Sequence, residues 1–209
     1  MEYDLSQTPP MPVFYLLSTA AIQPRPIAWI SSQSAAGKTN LAPFSFFTVA
    51  CINPPVLSVT ITWRRSDSGL SPEKDTLRNL RETGECVINI VTEALAAQMN
   101  QTCGDYPPEI SEIDALSIAT TPSRQVASPG VAASPVRFES RLRQLIPLGD
   151  GPGSSHVALL DVLHVHVDDA VLTNGMPDPA KLDSIGKLGG DAYADTANRF
   201  SLPRPVINT

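Results

Sequence analysis

The sequence predicts a mainly β protein: an antiparallel barrel, closed or split, of about seven short strands with two to four short helices around it. Three observations predict it. Residues 56–62 alternate as Val, Leu, Ser, Val, Thr, Ile, Thr, and residues 157–167 form the longest β signal in the chain. The 20 prolines fall in pairs or near strand ends, as at Pro9-Pro10, Pro54-Pro55 and Pro107-Pro108, and prolines so placed separate short strands. No strand–helix alternation and no internal repeat is present, which argues against a doubly wound parallel sheet. With 209 residues, 42% of them hydrophobic and 17% charged, the chain has the balance of a globular core and reads as one domain over 1–209.

The elements follow in order. Residues 13–17 are a short apolar run and read as the first strand. Pro24-Arg25-Pro26 forces an extended entry into the next one, 26–31, which is apolar and contains Trp29. Residues 35–40 form a tight turn in which Gly37 supplies positive φ. The returning arm, 41–47, contains Pro43, whose missing N–H assigns it to a sheet edge or a bulge. Asn40, Pro43 and Ser45 on one short arm point to a strand end shaped to meet something other than another strand. Asn53-Pro54-Pro55 is a turn, 56–62 a strand and 63–74 a polar loop.

Residues 75–81 read as a helix capped by Asp75, with Leu77 and Leu80 on its buried face and Gly84 at its C-terminal stop. A strand at 85–91 and a second helix at 93–102 follow, then a loop at 106–111. The Ser/Pro/Ala/Gly tract at 123–134 reads as a surface loop, because neither half of the chain has strands enough for its own core. Residues 136–146 alternate with one wet face, 149–153 turn, and 157–167 form the long strand. A turn and short helix occupy 174–184, and the tail from Ile185 is expected to lie extended over a neighbour.

The bulk properties exclude several functions. Net charge is −6 and the pI is about 5.0, against a nucleic-acid partner; Arg64-Arg65 is one basic pair. The N-terminus has acids where a secretory signal has lysines, and no apolar run approaches the ~20 residues of a membrane helix. Cys51, Cys86 and Cys103 include no C-x-x-C pair and fit reduced thiols, so the protein is expected in the cytoplasm. Neither G-x-G-x-x-G nor G-x-x-x-x-G-K-[ST] is present, and the absence of G-x-S-x-G argues against a hydrolase.

Four places remain where residue types suggest chemistry. Ser71, Lys74, Asp75 and Thr76 start a helix, whose free amides attract anions; an ordinary capped surface helix has the same appearance. His156, His164 and His166 would share one strand face, but His156 and His164 would lie roughly 26 Å apart. His164 and His166, roughly 7 Å apart, form an H-x-H pair that lacks a named third metal ligand. His156 opens the long strand after Gly153-Ser154-Ser155. Gly186-Lys187-Leu188-Gly189-Gly190 is a glycine-rich turn near Tyr193, too short for a phosphate loop.

Several segments also carry a family resemblance: PRPIAWISS, NLAPFSFF, NPPVLSVTI, KDTLRNLRETGECVINIV, SSHVALLDVLHVHVDD and IGKLGGDAYA. In this order they resemble the flavin reductase-like, FMN-binding split-barrel family. The resemblance implies a Greek-key split β-barrel with peripheral helices, acting as a homodimer with flavin at or near the interface. It implies noncovalent FMN, with NADH or NADPH as the source of electrons for a flavin, and allows a partner flavin-dependent oxygenase. The phosphate would lie at Lys74, Asp75 and Thr76, and the ring near Asn40, Leu41, Ala42, Pro43, Ser45 and Thr60. His156 and Tyr193 would be the catalytic groups. The family often has Gly-Asp before that histidine; here the pair reads Ser154-Ser155. That departure keeps open an FMN-binding electron carrier or sensor without NAD(P)H turnover, and the H-x-H pair separately keeps open a metal-dependent β-barrel enzyme using His164 and His166.

Overall fold

The computed structural model describes residues 2–6, 11–64, 73–150 and 153–207. Helix α1 (Met11–Ala21) leads into strands β1 (Arg25–Pro26), β2 (Ala28–Gln33), β3 (Thr39–Phe44), β4 (Phe47–Cys51) and β5 (Val56–Thr62). Helix α2 (Asp75–Thr83) precedes β6 (Glu85–Ile90), α3 (Ala96–Gln101) and α4 (Glu112–Ala115). The small strands β7 (Thr120–Thr121) and β8 (Gly130–Val131) pair with each other, and the long strands β9 (Val136–Leu148) and β10 (Ser155–Val167) follow. The chain ends with β11 (Leu172–Thr173), β12 (Met176–Pro177), α5 (Pro179–Leu182), β13 (Gly186–Lys187) and β14 (Tyr193–Ala194).

Seven strands form one antiparallel sheet in the order β3-β2-β6-β9-β10-β5-β4. Its two edges, β3 and β4, are consecutive in the chain, separated only by Ser45 and Phe46. A flat sheet of this width would separate its edges by about 29 Å, six steps of about 4.8 Å. Two linking residues reach at most about 11 Å. The sheet must therefore curl until its edges meet, and the barrel is split along the β3–β4 seam. The amide of Thr60 donates to the Phe46 carbonyl at 2.8 Å, extending the β4–β5 ladder into the link between the two edges.

Alternation along each strand produces two cores. Ala28, Ile30, Phe44, Leu57, Val59, Ile61, Ile88, Ala158 and Leu160 fill the barrel, where Leu77 and Leu80 of α2 join them. Helix α2 is therefore the barrel's plug. Trp29, Leu41, Val91, Met99, Ile113 and Ile185 form a second core on the outside, under α3 and α4. Strand β2 is buried on both faces, which is why its sequence reads as an unbroken apolar run ending in Ser31 and Ser32.

Pro43 lies on the edge strand. Two residues earlier, the Leu41 amide points away from β2 to the Glu112 carboxylate at 2.9 Å. Pro43 has the same parity, so its nitrogen faces the same open side and no ladder bond is lost. Gly37 and Gly84 take φ of 85° and 71°, one at the hairpin and one at the stop of α2.

Three expectations are corrected. Residues 13–17 are helical, not a strand: the short apolar run continues through Ser18, Thr19, Ala20 and Ala21 to make the eleven-residue α1. The arm expected at 41–47 is broken at Ser45–Phe46, and a further strand, β4, follows, because barrel closure turns the chain there. Asp75 does not cap α2: Lys74 holds the N-cap position, and the Asp75 carboxylate is taken by two guanidinium groups. Ser71 and Arg65 lie outside the described residues.

Candidate functional site

The start of α2 combines a helix N-terminus that no side chain caps with a lysine at the N-cap position. Lys74 is extended at φ −74° and ψ 148° and makes no side-chain cap. Asp75 is buried and ion-paired to Arg64 at 2.5 Å and Arg78 at 2.6 Å. The Thr76 hydroxyl accepts a hydrogen bond from the Asn40 amide at 2.9 Å, joining β3 to α2. The Lys74 ammonium sits 5.3 Å from the centre of the Phe44 ring. Burial, with Arg64 nearby, holds its pKa below the ordinary lysine value. Among the described residues no carboxylate is within ion-pair reach of it.

Alternation on β3 divides the other predicted residues. Asn40, Ala42 and Phe44 face the barrel and α2, whereas Leu41 is fully buried in the outer core. Only main-chain groups of Leu41 are available, and its amide is already bound to Glu112. Burial raises the pKa of the Glu112 carboxyl. Pro43 is half-buried on the seam. The Ser45 hydroxyl accepts from Arg25 Nε at 3.4 Å. Thr60 lies on the opposite face of β5 from Val59 and Ile61, half-buried outside the barrel interior.

Arg25 is a residue that sequence reasoning missed. Its guanidinium is buried and donates to the carbonyls of Thr19 at 2.6 Å, Ile22 at 2.8 Å and Leu188 at 2.9 Å. It thereby ties the C-terminal turn of α1 and the β13–β14 segment to the seam at Ser45. The available signal was an arginine enclosed by two prolines at the entry to an apolar strand.

His156 is buried at the end of β10 nearest α2, 6% exposed. Its Nδ1 is 3.3 Å from the Trp63 indole nitrogen and its Nε2 is 2.9 Å from Arg81 Nη2. Burial, then Arg81, lowers its pKa; Glu73, which is ion-paired to Arg81, opposes this. Ser155, at the family's acidic position, donates its hydroxyl to Thr62 Oγ1 at 3.1 Å.

Tyr193 is half-buried. Its hydroxyl donates to Asn100 Oδ1 at 3.2 Å, and the Lys187 ammonium lies 4.2 Å from its ring centre. Burial raises its pKa, with Cys103 and Asp191 adding to the rise. Burial also raises the Cys103 thiol while Lys74 and Lys187 pull it down. Lys74, Lys187, Cys103 and Tyr193 therefore share one electrostatic neighbourhood.

The H-x-H pair has other partners. His164 Nδ1 is 3.1 Å from Glu139, whose carboxylate also accepts the amides of Arg124 and Gln125 at 2.6–3.0 Å. His166 is opposite Arg137, and burial followed by that arginine lowers its pKa. Among the described residues no three metal-ligating side chains converge. None of the helices among them is long and apolar enough to cross a membrane.

Comparison with known proteins is consistent with this architecture. The family described as flavin reductase like domain matches residues 21–180. An uncharacterized protein of Halalkalibacterium halodurans is 35% identical over 196 residues, covering 93% of this chain and 92% of that protein. The crystal structure of nitrilotriacetate monooxygenase component B from Bacillus cereus is 30% identical with a TM-score of 0.88, covering 97% of this chain and 98% of the other. That of 2-nitrobenzoate 2-nitroreductase from Pseudomonas fluorescens is 26% identical with a TM-score of 0.83, covering 100% and 98%. With its seven-stranded barrel split at β3–β4 and a family match across most of its length, the chain belongs to the flavin reductase like domain family.

Proposed function

We propose that the protein binds FMN noncovalently and works as a homodimer in the cytoplasm, passing electrons from NADH or NADPH to a flavin. Beyond family membership, the observation that carries this reading is Lys74: a half-buried ammonium without a carboxylate partner among the described residues, beside amides at the start of α2 that no side chain caps. A phosphate is an anion suited to both. Lys74 and the first-turn amides of Asp75 and Thr76 would hold the phosphate, while the Asp75 carboxylate anchors Arg64 and Arg78. The seam at Ala42, Pro43, Ser45 and Thr60 would hold the ring, with Asn40 positioning Thr76 and Leu41 contributing main chain. The hydride-accepting chemistry belongs to the flavin when it is bound. His156 and Tyr193 are proposed to meet the reacting rings and orient them.

A homodimer is supported by apolar surface that this chain leaves in water. Phe14, Tyr15, Leu16 and Leu17 of α1 are exposed, as are Val49 of the edge strand β4 and Ile52 after it. Arg25 holds α1 beside the seam, so a second copy covering α1 would also close the flavin pocket. Likeness to a protein named as a monooxygenase component supports an oxygenase partner as the electron acceptor.

The test is the visible spectrum of the purified protein after FMN is added and its excess removed, followed by anaerobic NADH and NADPH. Retained absorbance near ~450 nm that bleaches with either nucleotide supports the proposal. One observation favours a second reading, an electron carrier or sensor: the hydroxyl of Ser155 is tied to Thr62, so no acid stands beside His156 at that position. Retained colour that neither nucleotide bleaches would select it.

A further inference from the structure

The two nitrogens of His156 face two donors. Arg81 has only N–H groups to offer, and the indole nitrogen of Trp63 has one hydrogen and no lone pair in the ring plane. A neutral imidazole has one in-plane lone pair and one N–H. The contacts at 2.9 Å and 3.3 Å therefore cannot both be hydrogen bonds at the same moment. The Trp63 and His156 rings lie 14° from parallel with their centres 6.2 Å apart, and their nitrogens approach edge to edge. Protonation offers no escape, because an imidazolium would face both donors with no lone pair at all.

The Arg81 contact is the shorter, and its donor is charged, so it takes the lone pair. Glu73 holds the guanidinium from its other side. Ile61 and Pro147 lie opposite His156 on the flanking strands, so among the described residues the charged groups facing the ring are Arg81 and Glu73. Yet the Arg81 side chain is 47% exposed, so solvent or a ligand can reach it and compete for it.

We infer that Arg81 is a positioning residue that selects the tautomer of His156. While Arg81 donates to Nε2, the ring carries its proton on Nδ1, against Trp63. When Arg81 turns away, Nδ1 accepts the Trp63 N–H and the proton moves to Nε2, at the place the guanidinium has left. A phosphate group is an anion able to draw Arg81 off, because guanidinium binds phosphate in a bidentate fork. This ligand step rests on the proposed flavin and nicotinamide function; the tautomer step does not. Its consequence is that His156 presents an N–H donor when nucleotide is bound and is withdrawn from donation when it is not.

The experiment is a long-range 1H–15N NMR spectrum of protein labelled in its histidines, which reads the tautomer of each ring directly. His156 is assigned by loss of its signals in H156Q. In the ligand-free protein the major form is expected to be Nδ1–H. Arg81→Met should reverse it to Nε2–H, Arg81→Lys should restore Nδ1–H, and Trp63→Phe should leave Nδ1–H in place. An Nε2–H form in the free wild type, or the same tautomer in wild type and Arg81→Met, overturns the inference. FMN and NAD+ are then added separately. Reversal with one of them identifies whose phosphate moves Arg81. No reversal with either, while the visible spectrum shows FMN bound, overturns the ligand step. Absence of bound FMN from that spectrum instead counts against the flavin reading and leaves the Arg81 result to stand on the variants.

Discussion

Replacing Arg25 with methionine keeps an apolar stem of similar reach and removes the guanidinium. The carbonyls of Thr19, Ile22 and Leu188 then lose their donor, and Ser45 loses a weaker one at 3.4 Å. A hydrogen bond from a charged donor contributes about 1.5–3 kcal/mol, so three short ones set a ceiling of about 5–9 kcal/mol. Bonds sharing one guanidinium are not additive, and the carbonyl of Ile22, an exposed residue, regains water when the arginine is gone. A loss of about 3–4 kcal/mol is the working expectation, a large part of the roughly 5–15 kcal/mol that stabilises a domain. Urea unfolding followed by tryptophan fluorescence measures it, since Trp29 and Trp63 belong to different parts of the barrel. Should α1 come away before the barrel melts, the global transition moves less and the amides of α1 exchange with solvent faster. A variant within about 1 kcal/mol of wild type whose α1 amides exchange at the wild-type rate would refute Arg25 as the tie between α1, the seam and the C-terminal segment.

Other predictions follow from the same geometry. Lys74→Met should weaken FMN binding about 10–100-fold, the equivalent of one charged contact, as read by quenching of FMN fluorescence. Because the folded protein holds the Lys74 pKa below its unfolded value, FMN affinity should fall as pH rises through that lowered pKa, where the ammonium loses its proton. For the flavin-free protein, the unfolded chain binds more protons between the two values, so stability should rise with pH across that window. His156 has the same sign: its folded pKa lies below 6.5, so stability is lost as pH falls from about 6.5 through the folded value, and His156→Gln should flatten that part of a Tm-against-pH curve. Phe14→Asp with Leu16→Asp should convert the proposed dimer to monomer by light scattering and lower FMN affinity with it; a dimer of unchanged affinity would remove α1 from the proposed interface.

The barrel strands were legible where burial leaves a period in the sequence. Residues 56–62 alternate because one face fills the barrel and the other does not, and the strand runs over those residues. Residues 13–17 have no such record: five apolar residues satisfy either period, and their helix shows only in the four residues that follow. Strand β4 was hidden for another reason. Between Phe44 and Phe47 there is no glycine or proline to mark a break, and the turn follows from closure of a sheet that is completed by β5, β6, β9 and β10, later in the chain. The partnerships of Asn40 with Thr76 and of Arg81 with His156 join residues 36 and 75 positions apart, distances over which no local pattern speaks.

Asp75 shows how a local rule can fail in favour of a site. An aspartate at a helix start is a common cap, and a cap satisfies the first-turn amides. Capping and anion binding are therefore competing uses of the same N–H groups. The fold brings Arg64 and Arg78 to within 2.6 Å of the carboxylate, and two guanidinium groups are stronger partners than one amide. The carboxylate turns to them, its charge is neutralised, and the amides beside Lys74 receive no side-chain cap. A phosphate at this place needs both conditions, open amides and no net repulsion from Asp75. Arg64→Ala should accordingly weaken FMN binding without any contact to the ligand, by returning Asp75 toward the amides. Restored affinity in the double variant Arg64→Ala, Asp75→Asn would confirm the competition, and unchanged affinity in the single variant would show that the amides were never the phosphate's.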